Sequence, residues 1–310
     1  MTRAPTTGAV VLGFDVGGTT VKAAALDIDL QPLATATRPS LRGPGILETI
    51  VEAAAELTAS LSEEHRGRIA CAGVVIPGVV DTARGISVRA VNLDLTNVPV
   101  AAPLEESLGV PVVLGHDVLA AGEAERRTGS ANLVDPFVVV IGTGIAAVAY
   151  VEGRAVSGVS GQAGEFGHVV VRPDGPLCAC GARGCLEAVA SAGAITREYA
   201  ERTGRTVAGA HEIVAALPDD LVAADVWAEA TSALADGLLA VCALLAPGAI
   251  VLGGGLAEAG ERLTGPVRER LHERAHVIAV PPVLTAALGS RAGVVGAGLL
   301  AFDRLGVVVP

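Results

Sequence analysis

Gly164–Glu187 reads GEFGHVVVRPDGPLCACGARGCLE, and this stretch decides how the rest of the chain is read. It carries three of the five cysteines, Cys178, Cys180 and Cys185, with His168 ten residues ahead of the first. Three thiolates and one imidazole make a Cys₃His set, the donor set of a closed, tetrahedral structural zinc. Gly181 and Gly184 let the chain turn tightly enough for Cys180 and Cys185 to face one ion. The alternative is a disulfide with one spare thiol. Cys-x-Cys is too close for an easy disulfide, and no feature of the chain points to an oxidising compartment. Glu165 and Glu187 bracket the cluster, so an ion that pins this loop also fixes two carboxylates in space.

Composition narrows the class. The chain has 310 residues, enough for two domains, and is 51% hydrophobic but only 2% aromatic. Its cores must therefore be built from Ala, Val, Leu and Ile, which with 39 glycines suits an α/β protein with many tight strand–helix turns. Few aromatics argue against a stacking platform for single-stranded nucleic acid. The net charge of −11 is spread without a basic stripe, so no nucleic-acid partner is expected. Gly237–Ala257 is uncharged over 21 residues, but Pro247-Gly248 and Gly253–Gly255 interrupt it, which predicts buried elements and no membrane span. No targeting segment is recognised, and a soluble cytoplasmic protein is expected. Cys71 and Cys242 sit in apolar runs and read as inert core residues.

Outward from the cysteine stretch, the chain reads as strands, glycine turns and helices. Residues 1–8 are a polar lead-in. Val10–Phe14 is a buried strand ending at Asp15, followed by Gly17, Gly18 and Thr19. Further strands at Thr20–Leu26 and Pro32–Thr37 make a meander with the glycine loop in its first turn. Backbone N–H groups of such a loop approach an oxyanion closely, and Asp15 beside it is placed to orient a hydrated Mg²⁺. An ordinary hairpin is the alternative. Gly45–Leu61 has helical spacing, Arg68–Ile76 is a strand, Asp81–Val91 a hairpin, and Asn92 opens a loop. After a strand at Pro111–Leu114, His116-Asp117 stands just before a helix over Val118–Arg127. That is where α/β sheets place chemistry, although an Asp there also serves as an N-cap. Thr128–Asp135 separates the halves. Phe137–Ile141, then Gly142-Thr143-Gly144, then Ile145–Val151 repeats the opening pattern. Helices are expected at Glu187–Tyr199, His211–Leu217, Leu221–Ala246, Glu258–Glu273 and Ala292–Arg304. Strands are expected at Ala249–Leu252 and Val277–Val280, with the turn Gly253-Gly254-Gly255 after the first of these.

These motifs together resemble the ROK family (repressor, open reading frame, kinase) of the actin/hexokinase-like ATPase superfamily. Asp15-Val-Gly-Gly-Thr19 resembles its first phosphate loop, and Val75-Ile-Pro-Gly78 with Asp81 its Pro-Gly-x-x-Asp segment. Gly109-Val-Pro-Val112 followed by Asp117 resembles the segment carrying the catalytic base. Gly142-Thr-Gly144 resembles the second phosphate loop, and Val251-Leu-Gly-Gly-Gly255 the adenosine-side loop. Glu165-Phe-Gly-His168 and Cys178-Ala-Cys-Gly-Ala-Arg-Gly-Cys-Leu-Glu187 resemble the two family signatures, and the second is the most specific of all.

The resemblance implies a two-lobed ribonuclease-H-like α/β fold with a zinc-pinned loop. One lobe would comprise 1–118 plus 291–310, the other 119–290, with sugar and ATP between them. It implies an ATP-dependent kinase acting on a hydroxyl, O6 by expectation, of a hexose or N-acylhexosamine. Asp117 would be the general base. Asn92, His116, Glu165, His168 and Glu187 would line the sugar, and Mg²⁺ would come with ATP near Asp15. His168 would serve both zinc and sugar, and a homodimer or higher homo-oligomer is the family expectation. Two departures bear on specificity. His116 stands where the family usually has Asn beside the catalytic Asp, and Ile145-Ala146-Ala147 follow the second phosphate turn where glycines are usual, so methyl groups are expected near a phosphate. A silent sugar-binding sensor and a transcriptional repressor are the competing readings. The second is disfavoured because the first strand begins near residue 10, leaving no room for a DNA-binding helix-turn-helix ahead of it.

Overall fold

The computed structural model describes residues 8–129, 134–159 and 163–309. The expected lead-in and the centre of the segment separating the halves lie largely outside the described residues. Contacts divide the chain into a first unit, Met1–Ala124 with Arg291–Pro310, and a second, Glu125–Ser290. The division falls inside the helix Asp117–Thr128.

In the first unit Val10–Val16 (β1), Thr20–Leu26 (β2) and Pro32–Pro39 (β3) form the expected antiparallel meander. Ile69–Ile76 (β4) pairs parallel to β1. The strands Val79–Asp81 (β5), Ile86–Ala90 (β6) and Leu95–Pro99 (β7) make a small antiparallel sheet of their own. Val112–His116 (β8) then adds parallel to β4, completing the order β3-β2-β1-β4-β8. The stretch after Asn92 therefore differs from the loop expected of it. Asn92 sits in a 3₁₀ turn, Val91–Leu93, and the chain beyond that turn goes straight into strand β7. Pairing with β6 satisfies that backbone, a long-range gain that local composition does not reveal.

The second unit repeats the plan. Pro136–Ile141 (β9), Ile145–Val151 (β10) and Arg154–Ala155 (β11) pair antiparallel, and Ala249–Gly253 (β12) and Val283–Thr285 (β13) add in parallel. The order is β11-β10-β9-β12-β13. The strand expected at Val277–Val280 is absent, and pairing with β12 falls instead to Val283–Thr285. The helix expected over Glu187–Tyr199 is two helices, Leu186–Ala190 and Ala192–Thr203. Ser191 divides them because its hydroxyl accepts the Ala194 N–H at 3.0 Å, which caps the second helix and holds Ser191 extended. Gly260 likewise divides the expected Glu258–Glu273 helix into a 3₁₀ turn, Gly255–Ala259, and the helix Glu261–Arg274.

Both cores are aliphatic. The helix Gly45–Ser60 buries Ile46, Ile50, Ala53 and Leu57 against the first sheet, one face at helical spacing. Leu221–Leu245 is long and apolar enough to cross a membrane, but half of that stretch is buried, with Trp227, Leu234 and Leu238 in the second core. Cys71 and Cys242 are buried, and burial pushes the Cys71 thiol up to about 11.

The final helix, Ala292–Leu305, packs on β1 and β4 almost backbone to backbone. A Cβ placed on Gly73 of β4 would lie 1.9 Å from the Ala297 carbonyl oxygen. Gly73→Ala must therefore push the helix off the sheet and is expected to cost about 3 kcal/mol, the upper range for overpacking. A fall in the urea midpoint of the first unit measures this, and an unchanged midpoint would show that the helix yields freely.

Candidate active site

The first unit brings its functional residues to one edge of its sheet. Asp15 is the penultimate residue of β1, opposite Lys22 on β2 and beside Val75 on β4. His116 ends β8 opposite Ile76 of β4, and Asp117 begins the next helix. The carboxyl ends of the parallel strands β1, β4 and β8 thus carry both acids, the edge where α/β sheets bind ligands.

Burial first, and then the charge of Asp117, push the Asp15 carboxyl up to about 6, with Lys22 opposing. A Cβ on Gly293 would lie 2.4 Å from Asp15 Oδ2, so glycine lets the first turn of the final helix come up against this carboxylate. A carboxyl whose ionisation is made costly by burial and by a neighbouring acid sits in an environment that a cation relieves. The residues present fit a Mg²⁺ carried by a phosphate ligand.

Asp117 is half-buried at the start of its helix, and its Oδ1 accepts the Val118 N–H at 2.7 Å. A helix cap accepts from the second or third helical amide, so this bond to the adjacent amide orients the carboxylate without capping. His116 Nδ1 lies 3.3 Å from the same Oδ1 but at an angle that makes no hydrogen bond, and the atom is buried. The sequence predicted a loop at Gly17-Gly18-Thr19, and it forms between β1 and β2, held by Gly17 N–H to the Thr20 carbonyl at 2.9 Å and Ser40 Oγ to the Gly17 carbonyl at 2.6 Å. Gly18 packs against Asn92, whose Cβ lies 3.5 Å from the place a Gly18 Cβ would take. Asp15, Asn92, His116 and Asp117 thus all belong to the first unit.

The second unit holds the rest. Gly142-Thr143-Gly144 turns between β9 and β10, and Gly253-Gly254-Gly255 follows β12, the strand parallel to β9. The two turns share one sheet edge. Of the three residues that follow the turn, Ile145 and Ala147 are buried in the core and Ala146 is half-buried. Beside Gly255 is a cavity of about 530 Å³ lined by Leu256, Ala192, Ala210, His211 and Val214. Sequence reading missed these residues. Nothing in the short helix Ala210–Ala216 marks it, and only packing brings it beside the third glycine turn.

The cysteine stretch assembles. One ligand atom from each of His168, Cys178, Cys180 and Cys185 lies within 4.8 Å of the others. Cys180 and Cys185 Sγ are 3.6 Å apart, and Cys178 Sγ is 3.7 Å from His168 Nδ1. Donors about 2.3 Å from a tetrahedral ion stand roughly 3.7 Å from one another, so the set fits zinc. Burial pushes the Cys185 thiol up to about 12, while a hydrogen bond from the Ala182 backbone lowers Cys180. A cation is what allows all three thiolates to form together. Gly184, at φ +70°, is obligatory, because a Cβ there would lie 1.4 Å from the Arg172 carbonyl oxygen. His168 Nδ1 faces the thiols while Nε2 lies 3.6 Å from Glu165 Oε2, so one ring joins the candidate metal set to a carboxylate. Glu187 opens the helix Leu186–Ala190 and reaches the second phosphate turn, where its Oε2 accepts the Ile145 N–H at 2.9 Å.

The model of the ROK family matches residues 11–304. The chain is 32% identical over 314 residues to a glucokinase of Thermotoga maritima, across 96% of this chain and 98% of that one. Over 183 residues, 58% of the chain and 61% of the relative, it is 31% identical to an N-acetylmannosamine kinase of Citrobacter koseri. Among solved structures, a ROK family glucokinase from Streptomyces griseus in complex with glucose and AMPPNP superposes with a TM-score of 0.82 at 30% identity, covering 95% of this chain and 100% of that one. With a family model spanning nearly the whole chain and relatives above 30% identity along the same length, the chain belongs to the ROK family.

Proposed function

We propose that this protein is an ATP-dependent sugar kinase that transfers the γ-phosphoryl group of ATP to a hydroxyl, O6 in the first instance, of a hexose or N-acylhexosamine. The observation that carries this is the acid pair of the first unit. Asp117 stands at a helix N-terminus beside the ends of parallel strands, electrically coupled to Asp15. The glucokinase and N-acetylmannosamine kinase relatives support this substrate class.

Phosphoryl transfer asks mainly for positioning and charge neutralisation. Asp117 accepts the proton of the attacking sugar hydroxyl as its oxygen bonds to the γ-phosphorus and ADP departs. The helix that begins at Asp117 turns the positive end of its dipole toward this carboxylate. Backbone N–H groups at Gly17–Thr19 and Gly142–Gly144 hold phosphate oxygens, and the nucleoside lies toward Gly253–Gly255 and the cavity beside it. Mg²⁺ bound with ATP supplies charge neutralisation, and Asp15 is the residue that would orient its water shell. Asn92, Glu165, His168 and Glu187 hold sugar hydroxyls, and a structural zinc on His168, Cys178, Cys180 and Cys185 keeps three of them in place.

His116 is proposed to set which sugar is taken. An amide both donates and accepts, whereas a neutral imidazole does so only as one tautomer, and here the buried Nδ1 is turned toward Asp117. His116→Asn is therefore expected to raise kcat/KM for glucose relative to other hexoses by about tenfold, within the range of one hydroxyl contact. An unchanged sugar profile would remove position 116 from specificity. The direct test of the activity is ADP release from Mg-ATP with glucose, mannose, fructose, allose, glucosamine, N-acetylglucosamine and N-acetylmannosamine. Turnover with one or a few sugars supports the reading. Silence with all of them, in folded protein that shows a sugar-dependent thermal shift, would make it a sensor.

A further inference from the structure

We propose that Glu187 is a positioning residue for the second phosphate turn, acting on nucleotide binding even when no sugar is present. This rests on the kinase reading above and deepens it, because Glu187 was read there only as a sugar ligand.

The carboxylate occupies the turn's own space. Glu187 Oε2 accepts the Ile145 N–H at 2.9 Å, and a Cβ on Gly144 would lie 2.5 Å from the same oxygen. A side chain at 144 would thus have to push the carboxylate off the Ile145 N–H. The other end of the turn is held by the same segment of chain. The Ala192 N–H donates to the Gly142 carbonyl at 2.9 Å, and Gly193 packs so close to Thr143 that a Cβ there would sit 3.1 Å from the Thr143 carbonyl oxygen. The break at Ser191 makes this possible. An unbroken helix over Glu187–Tyr199 would keep the Ala192 amide for its own ladder, whereas Ser191, as cap, frees it at a helix start. Residues 187–193 therefore strap the turn at both ends.

The chemical consequence concerns which amides remain for phosphate. The Gly142 N–H donates to the Gly144 carbonyl and the Ile145 N–H to Glu187, which leaves the Thr143 and Gly144 N–H groups to meet phosphate oxygens. An anion site built from two backbone donors depends on their being pre-oriented, since reorganisation upon binding subtracts from affinity. Removing the acceptor leaves the Ile145 N–H unpaired beside a buried side chain and releases the turn. Oε1, the other carboxylate oxygen, is left over for a sugar hydroxyl on the kinase reading, so one side chain would address both substrates.

The experiment is calorimetric binding of Mg-AMPPNP without sugar to the wild type and to three variants, each checked for metal content and melting temperature. Glu187→Ala and Glu187→Asp, the latter keeping the charge but too short to reach Ile145, are expected to weaken binding about tenfold, the effect of one lost acceptor. Glu187→Gln, whose carbonyl can accept the same N–H, is expected to stay within about threefold of wild type. Should Glu187→Ala fail to fold, Glu187→Asp and Glu187→Gln carry the comparison. Wild-type affinity, or tighter binding, in Glu187→Asp overturns the inference, since a residue that only touches sugar cannot alter a sugar-free measurement. Wild-type protein that does not bind Mg-AMPPNP overturns the kinase reading itself, which keeps the two failures apart.

Discussion

Asp117→Asn is expected to lower kcat by about a thousandfold or more while sugar binding remains measurable. Asparagine has the shape of aspartate, and its carbonyl can still accept the Val118 N–H that orients the side chain, so the helix start should survive. What it lacks is a site for the hydroxyl proton. A positioned general base is worth roughly 10² to 10⁴ in rate. The same substitution has a signature that a structural defect would not produce. Because the charge of Asp117 helps raise Asp15, its removal should let the Asp15 carboxyl titrate below its present value of about 6, as read by carboxyl NMR in nucleotide-free protein. The sign is fixed: one less neighbouring negative charge makes ionisation easier. More than a few per cent of wild-type turnover in Asp117→Asn would remove it as the base.

Metal removal is expected to have the second large effect. The four donors of the proposed zinc site span His168–Cys185, a stretch with little helix or strand of its own, tied down by isolated bridges at Val170–Cys185 and Leu177–Arg183. Such a loop buries too little to hold itself, so the ion supplies much of its order. Stripping the metal with a strong chelator, or Cys185→Ser, should take bound zinc from one per chain to near zero and abolish sugar binding. A destabilisation of about 4 kcal/mol would lower the melting temperature of the second unit by roughly 10 °C. Because Glu187 follows Cys185 by two residues, nucleotide affinity should fall as well. Metal-free protein with full activity and an unmoved melting curve would end the zinc proposal.

Much of the molecule could be read locally. Val10–Val16, Thr20–Leu26 and Ile145–Val151 announce themselves as short apolar runs ended by glycine turns, and Gly45–Ser60 by its helical spacing. The cysteine cluster was legible because its donors lie within a few residues of each other and few other chemistries use that spacing. These signals depend on neighbours in the chain, and neighbours in the chain are what a sequence displays.

Tertiary packing decided the rest. The sequence marked Ser191 as nothing more than one polar residue in a helical pattern, yet its hydroxyl ends one helix and starts another. Strand β7 exists because β6 offers it a ladder, and Val283–Thr285 rather than Val277–Val280 is a strand because only it reaches β12. Glu187 and Ile145 are 42 residues apart, and no local rule joins a carboxylate in one signature to an amide in another. The chain by itself determined most of the elements, the family and the inventory of donors and acids. Which amide Glu187 holds, how closely the final helix meets Gly73, and which acid raises the other were settled only by folding, because those energies arise between atoms that the sequence leaves far apart.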